Sequence, residues 1–326
     1  MDPSDANTLR RMAGLATPMA LRVAVTLGLP DRLLDDAATA DRLAEELDVS
    51  PVALDLLLGH LATLGVVERT SAGYRTTEFG AHLCAGADGG FTNLLLRLDS
   101  AAGRAELAFV ELAHSIATGQ AAYPRRYGRD FWADLAEQPH LRETFDRQMT
   151  LRFHEQIPQI VAGFDWSRFT TIVDVGGGPG TLLAAILTAH PRLRGHLVDV
   201  TADARRTLRH LDDRAEVTVR SFFDPLPAGA DAYLLSDILH NWDDEHAHRI
   251  LARCAEAARP AGRVLVIEPV GGRAGTDMDL AMLVIHGGRE RRVDEFRELA
   301  APHGLVLDTV TDLTGQRCLL EFASAG

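Results

Sequence analysis

Apolar positions follow two regimes along the chain. In the first, Leu9, Met12, Leu15, Met19, Val23 and Leu27 recur every three or four residues. That spacing predicts helix, with Pro18 marking a kink. The stripe has few apolar partners nearby in sequence, so it packs either on its own domain or on a second subunit. Next comes "TADRLAEELDVSPVALDLLLGHLATLGVVERTSAGYRTTEFG". Thr39 is placed to cap one helix and Ser50 a second, with Pro51 at its first position and Gly65 at its end. "VVERT" and "YRTT" then pair as a hairpin around Ser71, Ala72 and Gly73. Two helices and a hairpin make a winged-helix pattern. Residues from about 90 to 165 read as mostly helical, with aromatic rings at Phe131, Trp132, Phe145 and Phe153. From Phe169 onward short apolar runs alternate with helical ones: "TTIVDV", "TLLAAILTAH", "GHLVDV", "DAYLLS", "EHAHRILARCAEAA", "GRVLVIEPV". This alternation predicts an open α/β sheet with helices on both faces. The expected division is 1–90, 91–165 and 166–326.

Composition narrows the function. The 326 residues are 46% hydrophobic and 24% charged, as in ordinary globular proteins. No apolar run approaches the roughly 18 residues of a membrane span, and the N-terminus lacks a signal-peptide pattern. Cys84, Cys254 and Cys318 are scattered and odd in number, fitting neither a disulfide framework nor a zinc site. A cytoplasmic protein is expected. Every one of the 33 basic residues is arginine, which excludes Schiff-base lysines and the P-loop lysine. The net charge of −13 disfavours nucleic acid. Within the winged-helix pattern, residues 51–64 contain no Arg, and Asp55 is their one charged group. Such a helix cannot neutralise phosphates, so the module reads as structural rather than as part of a DNA-binding regulator.

The strongest chemical signal is "IVDVGGGPGTLLAAIL", a buried strand, a glycine turn and a helix. Glycines at 176, 177, 178 and 180 let the backbone turn sharply and approach a ligand closely. A dinucleotide fingerprint starting at Gly176 needs Gly or Ala where Thr181 stands, and a Walker loop needs a lysine. The following strand ends in Asp199, where a carboxylate accepts hydrogen bonds from a ribose. The pattern points to a nucleoside ligand without a phosphate chain.

A second signal is "LLSDILHNWDDE", a strand that ends in histidine. A strand-end histidine is either a polar cap or a base. "HNWDDEHAH" also has the composition of a metal site, but His246 and His248, two apart on a helix, face different ways; no metal is expected.

"VDVGGGPGTLL", "SFFDPLPAGADAYLLSDILHNWDDE", "VLVIEPV" and "DLAMLVIHGGRERRVDEF" occur in order. With them the chain resembles, over essentially its whole length, the S-adenosylmethionine-dependent O-methyltransferases of the plant caffeic-acid type and their bacterial natural-product relatives. The resemblance implies a Rossmann-like α/β catalytic domain, with a mostly parallel sheet flanked by helices, behind a helical, winged-helix dimerisation domain. It implies S-adenosylmethionine as cofactor and a homodimer. By similarity Gly176, Gly177, Gly178 and Gly180 line the cofactor's methionine end and Asp199 its ribose. Ser236 and Phe222 are further cofactor contacts, and Arg142 reaches the methionine carboxylate. The family usually reads Gly-Asp-Phe-Phe where this chain has Arg220, Ser221, Phe222 and Phe223, so Ser221 replaces an aspartate that touches adenine. His240 falls at the family's general base, with Glu268 and Glu290 as its flanking carboxylates. Trp132, Phe145, Met149, Asn241 and Met282 are implied as substrate contacts. The expected activity is methylation of a phenolic or enolic hydroxyl on a small aromatic natural product, of polyketide type, without metal. The alternative is a relative on the same fold that hydroxylates or rearranges such a substrate.

Overall fold

The computed structural model describes residues 3–271, 276–315 and 317–324. They fall into two compact units, Met1–Leu107 with Gln138–Leu151, and Ala108–Glu137 with Arg152–Gly326.

In the first unit the apolar stripe is two helices, Pro3–Met12 and Ala16–Thr26. The chain breaks between them, and Pro18 sits in the first turn of the second helix, where its missing N–H costs nothing. The expected kink at Pro18 is therefore a break upstream of it. Thr39 caps the helix Ala40–Leu47 by accepting the Arg42 N–H, and Ser50 caps Pro51–Thr63 by accepting that of Ala53. Gly65, at φ +73°, ends the second. Strands β1 (Val67–Thr70) and β2 (Gly73–Thr76) pair antiparallel. A Cβ on Gly73 would stand 2.3 Å from the Ala38 carbonyl oxygen, so only glycine lets the hairpin dock there. Leu29, Leu33, Leu43, Leu58, Leu61 and Val66 form the core. Leu9, Met12 and Leu15 stay exposed, and Met19, Val23 and Leu27 line an open apolar groove of about 370 Å³ with Ala53 and Leu57.

The second unit is built on seven strands: β3 (Thr171–Val175), β4 (Arg194–Asp199), β5 (Ala215–Val219), β6 (Ala232–Ser236), β7 (Arg263–Pro269), β8 (Leu305–Asp312) and β9 (Arg317–Ser324). Their order is β5-β4-β3-β6-β7-β9-β8. The first five are parallel, and β9 lies antiparallel between β7 and β8. Side chains alternate between two cores, as the pleat requires. Val173, Val175, Tyr233, Leu235, Val264 and Val266 meet the helix Asp244–Ala258. Ile172, Leu197, Leu234, Leu265 and Ile267 meet the helix Thr181–Ala189 and Trp166. The C-terminal ends of β3, β4, β6 and β7 therefore open on one edge, where ligands bind in such sheets.

Tyr233 is fully buried in β6, and its hydroxyl lies 2.7 Å from the Pro227 carbonyl and 2.9 Å from that of Ala257. Tyr233→Phe strips buried carbonyls of a donor and is expected to cost about 1–2 kcal/mol in urea unfolding. Unchanged stability would mean those carbonyls find other donors.

Candidate active site

Two constellations sit along this edge. The first is the glycine turn after β3. Gly176 (φ +76°), Gly178 (φ +54°) and Gly180 (φ +78°) all occupy the left-handed region. The turn is tied to β4: the Gly176 N–H donates to Val198 (2.7 Å) and the Gly178 N–H to Asp199 Oδ2 (3.0 Å). Asp199 Oδ1 accepts the N–H (3.1 Å) and the hydroxyl (3.4 Å) of Thr201, so Oδ2, with one donor on it, is the oxygen that retains a lone pair for a ligand hydroxyl. A Cβ on Gly177 would lie 2.2 Å from Asp174 Oδ2, whereas one on Gly178 would meet nothing within 4 Å. Gly177 thus serves packing, and Gly178 borders open space. Phe222 walls the turn beside Gly176 and stands edge-on to Trp242, with centroids 6.0 Å apart. The Ser221 hydroxyl accepts the Phe223 N–H and so shapes its own turn. Ser236 closes β6, in register with Ile267.

Asp174 is a participant the sequence reading missed. Burial, and then Asp199, push its carboxyl up to about 7, and its Oδ2 has no hydrogen-bond partner among the described residues. A buried carboxyl with one open oxygen beneath a glycine cradle fits a ligand with a cationic end. The ammonium of S-adenosylmethionine is such an end, and Asp199 stands where its ribose diol is expected.

The second constellation is the turn Leu239–Asn241 after β6. Glu268, fully buried at the end of β7, holds it: Oε1 accepts the N–H groups of Ile238 (2.9 Å), Leu239 (2.7 Å) and His240 (3.4 Å). Its other oxygen lies 3.6 Å from His240 Nδ1. Arg291, also buried, clamps the same turn by donating to the Leu239 and Trp242 carbonyls and to Asp244. Gly288 is required here, since a Cβ would lie 2.1 Å from the His240 carbonyl oxygen.

A carboxylate close to His240 that the sequence reading did not single out is Asp237. Asp237, His240 and Glu268 each bring an atom within 4.8 Å of the others. Glu290 is buried but forms no ion pair with His240 among the described residues; burial and Asp279 push its carboxyl upward. Asp237 adopts φ +51°, a strained value for a residue with a side chain. Arg317 of β9 fixes it by donating Nε to Oδ1 (3.1 Å) and Nη2 to Oδ2 (2.6 Å). The third arm of Arg317 donates to Gln156, and its plane lies over the Phe153 ring. Burial lowers the His240 pKa to about 4 against the opposing pull of Asp237, and Arg152, Arg317 and Arg291 lower it further. Burial raises Glu268 to about 8, with Asp237 adding to the rise.

The remaining expected contacts divide. Trp132 stacks on His286 (5.1 Å, 21°) and lies 6.4 Å from Trp242, forming an aromatic wall; Met282 is buried on the helix Thr276–His286 that carries His286. His286, not singled out in the sequence, is buried beside this wall: burial pushes it down to about 3, and its Nδ1 has no hydrogen-bond partner among the described residues. Asn241 donates its amide to the Asp237 carbonyl, while Asp243 caps the helix that follows. Arg142, Phe145 and Met149 belong to the first unit, where Arg142 donates to both oxygens of Asp146.

Known proteins share this arrangement. Residues 109–306 match the family model of the O-methyltransferase domain, and residues 9–86 that of the O-methyltransferase dimerisation domain. The chain belongs to this family, the S-adenosylmethionine-dependent O-methyltransferases. It is 48% identical to 2,7-dihydroxy-5-methyl-1-naphthoate 7-O-methyltransferase of Streptomyces carzinostaticus, over 92% of each chain. It is 40% identical to aclacinomycin 10-hydroxylase RdmB of Streptomyces purpurascens, over 94% of this chain and 87% of the relative. The crystal structure of NcsB1, an O-methyltransferase from neocarzinostatin biosynthesis in complex with S-adenosylmethionine and 2-hydroxy-5-methyl naphthoic acid, superposes with a TM-score of 0.92. Its identity is 46%, covering 97% of this chain and 98% of that one. The cofactor is S-adenosylmethionine.

The Asp237–Arg317 pair yields a test. Asp237→Ala leaves a buried guanidinium without its counterion and is expected to cost about 3–5 kcal/mol, whereas Asp237→Ala combined with Arg317→Met recovers most of the loss. Chemical denaturation of the three variants measures this; equal instability of the single and double variants would contradict it.

Proposed function

We propose that the protein methylates a phenolic or enolic hydroxyl of a small aromatic natural product, with His240 as general base and without a metal. The reading is carried by one observation: a buried histidine at the ligand edge of the sheet, its Nδ1 facing a buried carboxylate 3.6 Å away. The naphthoate specificity of relatives near half identity supports an aromatic acceptor. The uncovered stripe and groove of residues 9–27, within the matched dimerisation domain, support pairing with a second copy.

The cofactor, when bound, supplies an electrophilic methyl group on a sulfonium. The chain's part is to cradle it at Gly176–Gly178, Asp199 and Phe222, and to present an oxygen nucleophile in line. When Glu268 is ionised and the Nδ1 proton turns to its Oε2, the ring offers Nε2 to the acceptor hydroxyl. A base of pKa about 4 faces a phenol near 10, an uphill transfer of about 8 kcal/mol. The proton must therefore leave as the O–CH3 bond forms, or nearby cations must lower the phenol's own pKa. Arg317 and Arg152 supply such a field. The same cations argue against a metal at Asp237, His240 and Glu268: both Asp237 oxygens are held by Arg317, and Glu268 Oε1 is filled by backbone N–H groups.

His240→Ala is expected to lower kcat by about 10²–10⁴, with S-adenosylhomocysteine affinity kept within about threefold. Since burial holds the imidazole neutral down to about 4, activity stays on its plateau as pH falls through 6.5 and declines only near 4. Full turnover in the variant would sink the base assignment. The similarity to a hydroxylase favours one second reading, hydroxylation of a similar substrate. Product mass separates them, at about +14 for methylation and about +16 for hydroxylation.

A further inference from the structure

Beside the base lies a guanidinium with no partner. Arg152 occupies the last turn of the helix Pro139–His154 and is half-buried. Among the described residues its guanidinium makes no hydrogen bond and no ion pair, while its main-chain carbonyl accepts from Gln156. A guanidinium carries five donors and does not lose its proton, and since no Arg152 nitrogen is among the buried atoms without a partner, its donors remain within reach of solvent or of a ligand.

None of the neighbouring acids answers it. The charges that Arg152 meets are Asp237, Arg317 and Glu290, and it acts in turn on His240. Asp237 already has both oxygens on Arg317. Arg317 is itself complete, with its third arm on Gln156. Glu290 forms no ion pair with Arg152, and burial favours its neutral form. The cluster therefore holds one closed acid–arginine pair and one open arginine.

We propose that Arg152 binds a carboxylate of the aromatic acceptor, so that the enzyme selects hydroxylated aromatic acids over neutral phenols. This rests on the reading of His240 as the base at the acceptor site. The planar fork of a guanidinium matches two carboxylate oxygens at once, which a lone phenol or carbonyl does not. The acceptor is favoured over the cofactor's own carboxylate because the charges around Arg152 belong to the base cluster, while Asp174 and Asp199 of the glycine cradle are not among them. Anchoring an acid there also keeps a cation beside the hydroxyl being deprotonated, which helps a base as weak as His240.

The test is titration calorimetry on the full chain loaded with S-adenosylhomocysteine, using 1,4-dihydroxy-2-naphthoic acid and its neutral carboxamide as probes. The native protein is expected to bind the acid at least about tenfold more tightly than the amide, a single charge-assisted bidentate contact. Arg152→Gln is expected to reduce that preference to less than about twofold, with Arg152→Lys intermediate and S-adenosylhomocysteine affinity unchanged. Absence of acid preference in the native protein overturns the proposal. So does an equal loss for acid and amide in Arg152→Gln, or a loss that falls on the cofactor instead. Methylation is followed in parallel by mass. Acid-selective binding with no methylated product sinks the methyl-transfer reading for this acceptor and leaves the carboxylate assignment standing.

Discussion

The turn that carries His240 depends on one buried carboxyl group. Glu268 ends β7 in complete burial, where an ionised carboxylate is disfavoured, and three consecutive backbone N–H groups converge on one of its oxygens. Those donors belong to the turn that carries His240. Without Glu268 they are buried orphans, so the acid shapes the turn as much as it faces the imidazole. Its position on a central strand makes the placement rigid, since β7 is paired on both sides. His240 is therefore located by a carboxyl group anchored in the sheet itself.

Around that centre charge is arranged in closed sets. Arg291 takes the carbonyls that the turn leaves over, and Arg317 takes both oxygens of Asp237. Each is a buried arginine with nearly all its donors assigned. The cradle works on another principle: its glycines remove side chains, its backbone N–H groups engage Asp199, and one oxygen of Asp174 is left open. The two halves of the site thus differ in kind, one filled with paired charge and the other kept clear for a ligand.

The helical front, the alternating strands and the glycine turn are legible in the sequence because each is written in local spacing and in residues with few conformational options. Thr39, Ser50 and Gly65 do in the structure what their types announce. His240 stands out in the sequence because it follows closely on an apolar strand, whereas Glu268 enters through the family resemblance. The misses have a common cause. β5 and β8 are edge strands, half exposed, so their alternation is weak. β9 carries Arg317 and Glu321 at buried positions, and a charged residue in a strand breaks the apolar pattern that would reveal it. Asp237 is 80 residues from its partner Arg317, and no local pattern joins them. Glu290 enters only through the family resemblance, because no local pattern gives its distance from His240.

The antiparallel strand has a consequence for how the molecule comes into being. β9 is the last of the seven strands in chain order, yet it lies between β7 and β8. During synthesis β7 acquires its second neighbour only after every other strand has been made. Arg317 arrives on that same strand, so Asp237 waits without its counterion until the end. Completion of the sheet and neutralisation of the acid beside His240 are then one event, and a chain halted before β9 lacks both.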